Sequence, residues 1–277
     1  MMDDIEKYSN DFFGSDMDEE SKKSINWTLK SDLRQTCFHA IETMFELIFA
    51  FEPLDDNLNE DIKVLKRLSF SNWRKNNSRI EEIADSNKGL DFLDRRVVFD
   101  GKEISIGHFI FYKCFTKRNK SIPNILKKID ISLDEIKKFL KIAAQEYAER
   151  DEYNAYKHSM RPIYSTSSFQ VINPKTGQEL INWDLKDSMS FFVKPDDDCE
   201  IKIKTKVFDP LRDYNLTIIC SNLIYNMVFF RRIYLRLDAD KDKHEEFQVY
   251  LFEKGYTHAY TKMNVSSQNH VFKIHKS

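Results

Sequence analysis

The chain has 277 residues and a mass of 33.0 kDa, and its 43 basic and 45 acidic residues leave a net charge of −2. With 41% hydrophobic residues it is not a disordered chain, because disordered chains lack the apolar surface that offsets the entropy of ordering. Only 6 Gly and 6 Pro disfavour glycine-rich phosphate loops and turn-rich β architectures. A core large enough to need no disulfide or metal is expected at this length.

The first twenty residues are strongly acidic, with eight Asp or Glu against one Lys. We predict a flexible acidic leader over residues 1–24, which is either simply solvated or covers a basic surface of this protein or of a partner. The leader has no apolar stretch, so no signal peptide is expected. The longest apolar stretch, residues 216–230, is shorter than the ~20 residues of a membrane-spanning helix. The four cysteines are widely spaced, and together these features predict a cytoplasmic protein with reduced thiols and no membrane segment.

Helical periodicity dominates the first half of the chain. Apolar residues recur at helical spacing over 31–51 and again over 61–86, which predicts two helical regions. Asp100-Gly101 lies between two short apolar runs and predicts a small β-hairpin over residues 97–106. A short helix is expected over residues 108–115.

The longest predicted helix follows an apparent capping box, Ser132 to Glu135. In such a box, the Ser hydroxyl and the Glu carboxylate each satisfy a free backbone amide. The box predicts a helix from Leu133 to Arg161, which ends before Pro162.

The hydrophobic period changes after Pro162. Alternation predicts one hairpin from residues 169–172 and 180–185, and another from 189–193 and 201–207. Asp209-Pro210 then fits an N-cap followed by a first-turn proline, and a central helix is expected over 211–237.

The sequence therefore predicts a mainly α (α+β) fold, a helical bundle with a β-hairpin-rich insertion between the third and fourth long helices. After the leader, we assign residues 25–162 and 208–240 to the bundle and 163–207 to the β insertion. Residues 241–277 are expected to be a mixed C-terminal segment packed on the same domain.

One helix face carries residues suited to chemistry. At 100° per residue, the apolar stripe of the Leu133–Arg161 helix continues into polar residues. They are Arg150, Asn154 and His158. Polar groups on a packing face need partners, because an unpaired buried one costs ~1–3 kcal/mol.

Two structural explanations and one functional explanation fit this polar stripe. The helix end could be solvated, or Arg150 could pair with a carboxylate while Asn154 caps a loop. In the functional reading, histidine acts as general acid or base, arginine stabilises phosphate charge and asparagine orients a group. These three groups suit cleavage of a phosphodiester by the neighbouring 2′-hydroxyl, which needs no metal.

The run from Arg150-Asp151 to Asn154-x-x-Lys157-His158 resembles the Arg-polar…His motif of the HEPN superfamily. Members are small all-α bundles, usually dimeric. Many are metal-independent endoribonucleases of stress and defence systems, and others only bind nucleotides or are inactive. The resemblance implies that Arg150 holds the scissile phosphate, that His158 is the acid or base, and that Asn154 supports them. Seven residues separate Arg150 from His158, more than is usual in the family.

Two basic stretches without acids, residues 63–79 and 113–128, are candidate nucleic-acid-binding segments. Phosphate contacts and aromatic stacking would bind a single strand there. Alternatively, the charges lie on solvated helix faces and Trp73 belongs to the core. The candidate contact residues are Lys63, Lys66, Arg67, Arg74, Lys75, Lys117 and Arg118.

No His, Cys or carboxylate spacing typical of a metal site occurs, so no metal or other cofactor is expected. The basic stretches and the resemblance imply RNA as a partner, and the resemblance implies a second copy of the chain as well. Two hypotheses remain: a HEPN-like metal-independent endoribonuclease, or a non-catalytic interaction or nucleic-acid-binding module in which Arg150, Asn154 and His158 hold the insertion on the bundle.

Overall fold

The computed structural model describes most of the chain, and its described residues divide into two compact units. The described ranges are 17–53, 61–116, 124–149, 153–155, 163–164, 168–172, 175–184, 188–193, 200–239, 248–262 and 267–273. The bundle unit comprises the described parts of 37–150 and 214–262, and the sheet unit comprises those of 1–36, 151–213 and 263–277.

The main α-helices in the described residues, in chain order, are α1 (Glu19–Phe51), α2 (Asp61–Ser69), α3 (Trp73–Asp85), α4 (Ile106–Phe111), α5 (Ile125–Ala148), α6 (Pro210–Ala239) and α7 (Tyr256–Thr261). Two 3-10 helices cover Asn87–Asp94 and Lys113–Thr116. The strands are β1 (Arg96–Phe99), β2 (Lys102–Ser105), β3 (Ile163–Tyr164), β4 (Ser168–Ile172), β5 (Glu179–Asp184), β6 (Ser188–Val193), β7 (Glu200–Val207) and β8 (Ser267–Lys273). This architecture confirms the predicted mainly α fold with hairpins between the third and fourth long helices. None of these helices is both long and apolar enough to cross a membrane.

The bundle unit is built on a fully buried apolar core. Large side chains from several helices have at most 1% of their surface exposed, among them Phe45 of α1, Phe109 of α4, Phe139 of α5 and Phe230 of α6. Each buried side chain of this kind contributes about 1.5–3 kcal/mol of transfer free energy. In the β1–β2 hairpin of this unit, the predicted Asp100-Gly101 turn connects the two strands, and both residues have positive φ, 49° and 70°. The turn confirms the predicted hairpin.

A buried polar network holds the C-terminal segment on the bundle. The Asn226 side-chain amide donates to the carbonyl oxygen of Tyr250 (2.8 Å), and its oxygen accepts from the Tyr250 N–H (3.3 Å). Ser132 Oγ accepts from the Phe252 N–H at 2.8 Å and bonds Tyr112 Oη at 2.7 Å. Burial raises the pKa of the Tyr112 hydroxyl, which therefore stays protonated. These bonds satisfy the backbone of a segment without helix or strand.

The predicted capping box at Ser132 was wrong. Ser132 lies inside α5, which begins at Ile125, directly after Asn124 in a left-handed conformation (φ 61°). The Glu135 carboxylate instead accepts from Lys138 Nζ at 2.7 Å and from the Thr257 N–H at 3.1 Å. The two residues of the apparent cap are thus committed to tertiary contacts.

The sheet unit contains an antiparallel sheet with strand order β3-β6-β7-β8 and the separate β4–β5 hairpin. Both predicted strand pairs of the insertion are confirmed. In the second pair, β6 and β7 are antiparallel, with Ser188 opposite Val207 and Val193 opposite Lys202. A small core packs Met189, Phe191, Phe208 and Ala155 together, with Trp27 against it. Strand β8 pairs with β7 in antiparallel register, with Ser267 opposite Lys206 and Lys273 opposite Glu200.

Two helix starts in this unit show how local caps set the boundaries. The Asp18 carboxylate accepts from the Ser21 N–H at 2.8 Å, so α1 begins at Glu19, within the predicted leader, rather than at Ser31. The predicted Asp209-Pro210 start of α6 is confirmed, because Asp209 Oδ1 accepts from the Arg212 N–H at 3.1 Å. The assignment of the whole chain to leader, bundle, insertion and C-terminal segment stays a prediction.

Candidate functional site: a basic elbow with exposed aromatic residues

The predicted catalytic helix is shorter than its periodicity indicated. Helix α5 ends at Ala148, with Glu149 as its C-cap, so the prediction of one continuous helix to Arg161 was wrong. Arg150 and His158 lie outside the described residues. Asn154 lies in a helical turn at 153–155, where it is exposed between buried Tyr153 and Ala155. The catalytic assignment of these three residues stays a prediction.

The first basic stretch forms an elbow between two helices. We call residues 62–75, from α2 through the start of α3, the α2–α3 elbow. Its aromatic residues project into solvent: Phe70 is 83% exposed and Trp73 is 62% exposed. The alternative that placed Trp73 in the core is therefore wrong. Large aromatic side chains usually bury much of their surface, so two exposed rings three residues apart are an unusual feature.

Three exposed cations lie on the same segment as these rings. Lys66, Arg74 and Lys75 are exposed, Lys63 is half-buried, and residues 62–80 contain no acid. The guanidinium carbon of Arg74 lies 5.5 Å from the centre of the Trp73 ring, within cation–π range. The elbow thus combines aromatic faces and positive charge on one exposed segment.

Arg67 and Arg79 hold the elbow rather than extend its charge. Arg67 Nη1 donates to the Glu52 carbonyl oxygen at 2.8 Å. Arg79 Nη2 pairs with the Glu52 carboxylate at 2.7 Å, and its guanidinium carbon lies 3.8 Å from the centre of the Phe49 ring. Both arginines therefore fasten α2 and α3 to the end of α1. Arg67, one of the seven predicted nucleic-acid contact residues, therefore stabilises the packing of α2 against the end of α1.

The bend itself is fixed by short polar side chains. Asn72 Oδ1 accepts from the Arg74 and Lys75 N–H groups at 3.1 and 3.2 Å, and so caps α3. Ser71 Oγ donates to Glu46 Oε1 at 2.9 Å and accepts from Asn76 at 3.0 Å. These bonds orient the backbone between the two exposed rings.

The second basic stretch contributes less to the described surface. Lys117 and Arg118 lie outside the described residues. Lys113 is buried, and its Nζ lies 5.0 Å from the centres of both the Phe99 and Phe109 rings. That position suits a cation–π contact inside the bundle and does not suit phosphate binding.

The bundle unit also contains a cavity that the sequence analysis did not identify. It measures about 350 Å³ and lies among β1, β2, α4 and α5. His108 lines it, and burial together with Lys102 and Arg96 lowers the pKa of His108 to about 4. No sequence spacing signals this site, because its residues come from four elements.

Within the described ranges, no cluster of three or more His, Cys, Asp or Glu side chains could hold a metal ion. Comparison with protein-family models, curated proteins and solved structures finds no significant match to this chain.

Proposed function

We propose that the protein binds single-stranded RNA on the α2–α3 elbow, as a non-catalytic nucleic-acid-binding module or as the binding surface of an endoribonuclease. The observation that supports this most directly is the exposure of Phe70 and Trp73 within an acid-free basic segment. Unstacked bases offer two apolar faces, and an aromatic side chain that covers one of them contributes about 1–3 kcal/mol per base.

The spacing of the rings suits successive bases of one strand. Phe70 and Trp73 are separated by two residues, and the Asn72 cap and Ser71 contacts fix the backbone between them. Lys66 and Lys75 lie on either side of the pair along the chain, where they can contact phosphates. Because the bend is preorganised, little ordering entropy is lost when a strand binds.

A different occupant is an apolar protein surface, since Ile62 and Leu65 are also exposed on α2. The charge of the elbow favours RNA over a protein surface. Residues 62–80 contain no acid and several lysines, and lysine is depleted at protein–protein interfaces. The two occupants differ in salt dependence, because phosphate contacts release counterions and apolar contacts do not.

The test is fluorescence anisotropy with a labelled single-stranded RNA, comparing the wild type with Phe70→Ala/Trp73→Ala. We expect the double variant to bind at least about tenfold more weakly, from the loss of ~1–3 kcal/mol per stacked base. Leu29→Ala/Tyr260→Ala is the matched control, because both side chains are about half exposed outside the elbow. Equal affinities of the elbow variant and the wild type would contradict the proposal.

Cleavage is the further step of the endoribonuclease hypothesis. The resemblance to HEPN proteins implies that Arg150 and His158, supported by Asn154, perform cleavage in a homodimer, and the cysteine spacing predicts a cytoplasmic location. The exposure of Asn154 is compatible with access of a strand to that segment. Cleavage in the presence of EDTA, lost in His158→Ala, would support this role in addition to binding.

A further inference from the structure

The 350 Å³ cavity of the bundle unit has walls of opposite charge. The β1–β2 hairpin contributes Arg96, Lys102 and Glu103, a net charge of +1. The other wall contributes Asp130, Asp134 and Lys137 of α5, together with Asp94, a net charge of −2. Its volume lies within the range of small-molecule sites, about 300–1,000 Å³.

Some of these charges are already neutralised within the wall. Lys137 Nζ lies 2.7 Å from Asp94 Oδ1 and 3.8 Å from Asp134 Oδ1. In contrast, the side chains of Arg96 and Asp130 have no ion-pair or hydrogen-bond partner among the described residues. A cation on one wall and a carboxylate on the other are thus both available to a ligand.

His108 provides a second observation at the hairpin side. Its side chain is 6% exposed, and its Nε2 is buried without a hydrogen-bond partner in the described part of the chain. Leaving such a group unsatisfied costs about 1–3 kcal/mol. The Ser105 hydroxyl accepts a hydrogen bond from the backbone N–H of His108 at 3.1 Å, and the strand register places Arg96 opposite Ser105. His108 and Arg96 therefore lie at the same end of the cavity.

We propose that this cavity binds a small zwitterion, whose phosphate or carboxylate lies at Arg96 and Lys102, on the side of His108, and whose amine lies at Asp130 and Asp134. A ligand with both charges pairs with the Arg96 and Asp130 side chains at once. An anion alone would face the carboxylates of α5, and a cation alone would face the hairpin. The site is separate from the α2–α3 elbow.

Isothermal titration calorimetry with phosphoethanolamine and β-alanine tests the proposal, with inorganic phosphate and ethanolamine as the two half-ligands. We expect at least one zwitterion to bind at least about tenfold more tightly than either half-ligand. Failure of both zwitterions to bind would overturn the proposal. Equal binding of inorganic phosphate would overturn it as well, because it would show a simple anion site.

Variants locate the binding. Arg96→Ala and Asp130→Asn should each weaken binding of the zwitterion at least about fivefold, because each removes one of its charged contacts. Asp85→Asn on α3 and Lys128→Ala on α5 are matched controls, since both residues are exposed and neither lines the cavity. Equal losses in the controls would contradict the assignment to this cavity. Circular dichroism at the titration temperature confirms that each variant is folded.

Discussion

The contact between Asn226 and Tyr250 predicts a large stability loss from a single amide. Asn226 is fully buried on α6 and makes two hydrogen bonds to one residue of the C-terminal segment. In Asn226→Ala the Tyr250 carbonyl keeps its bond from Tyr112 Oη at 3.0 Å, but the Tyr250 N–H loses its acceptor. An unsatisfied buried donor costs about 1–3 kcal/mol, and the space left by the amide adds to this. We therefore expect a loss of about 2–3 kcal/mol.

Urea unfolding followed by circular dichroism measures this loss, and a thermal scan should show a midpoint about 5–10 °C lower. Asn222→Ala is the control: it makes the same substitution one helical turn away, at a half-buried position. Its cost should stay within about 1 kcal/mol. If Asn226→Ala loses no more stability than Asn222→Ala, the network does not hold the segment as described.

Three further predictions concern single groups. The pKa of His108 is about 4 in the folded protein against 6.5 in the unfolded chain, so its contribution to the free energy of unfolding is complete above pH 6.5 and is lost as the pH falls towards 4. At pH 5 the free energy of unfolding of the wild type should therefore have fallen by about 2 kcal/mol more than that of His108→Gln. Equal pH profiles of the two proteins would refute this. Burial raises the pKa of the Cys220 thiol, so iodoacetamide should modify Cys37 and Cys220 only after unfolding. Rapid labelling of either of these two cysteines in the native protein, assigned by peptide mass spectrometry, would contradict their burial. His158→Ala should abolish any RNA cleavage and leave the thermal midpoint nearly unchanged, and retained cleavage would reject the assignment of His158.

Periodicity and turn chemistry predicted the elements whose signals are local. Asp209-Pro210 marks the start of α6, and Asp100-Gly101 marks the β1–β2 turn, because each position needs a residue type that few others can replace. Alternation likewise identified the strand pairs of the insertion, since a one-residue slip would expose their buried faces.

The predictions of the capping box and of the end of α5 were wrong because the local sequence pattern does not show the tertiary contacts that decide the structure. Ser132 and Glu135 have the spacing of a capping box, yet their side chains bond Phe252 and Thr257, more than 100 residues away. The end of α5 at Ala148 is not marked by Gly or Pro, and three of the next four residues, Glu149, Arg150 and Glu152, are good helix formers, so the pattern predicted a longer helix. This error removes the continuous polar stripe that first indicated the catalytic site.

The candidate site could be predicted only in part from the sequence. The absence of acids over residues 62–80 identified the elbow, but solvent exposure of Phe70 and Trp73 depends on how α2 and α3 pack against α1. The His108 cavity could not be predicted, because its charges come from two stretches, residues 94–108 and 130–137, whose proximity depends on how the β1–β2 hairpin packs near α5.

The salt dependence of RNA affinity tests the central proposal most directly. Each phosphate contact to a single strand contributes about 0.7 to the slope of log K against log salt concentration. Lys66→Glu/Lys75→Glu should therefore weaken binding at low salt and flatten this slope by about 1.4, whereas Lys23→Glu/Lys254→Glu, with the same charge change at exposed positions elsewhere, should leave the slope close to that of the wild type. Equal slopes for the wild type and the elbow variant would contradict RNA binding on the α2–α3 elbow.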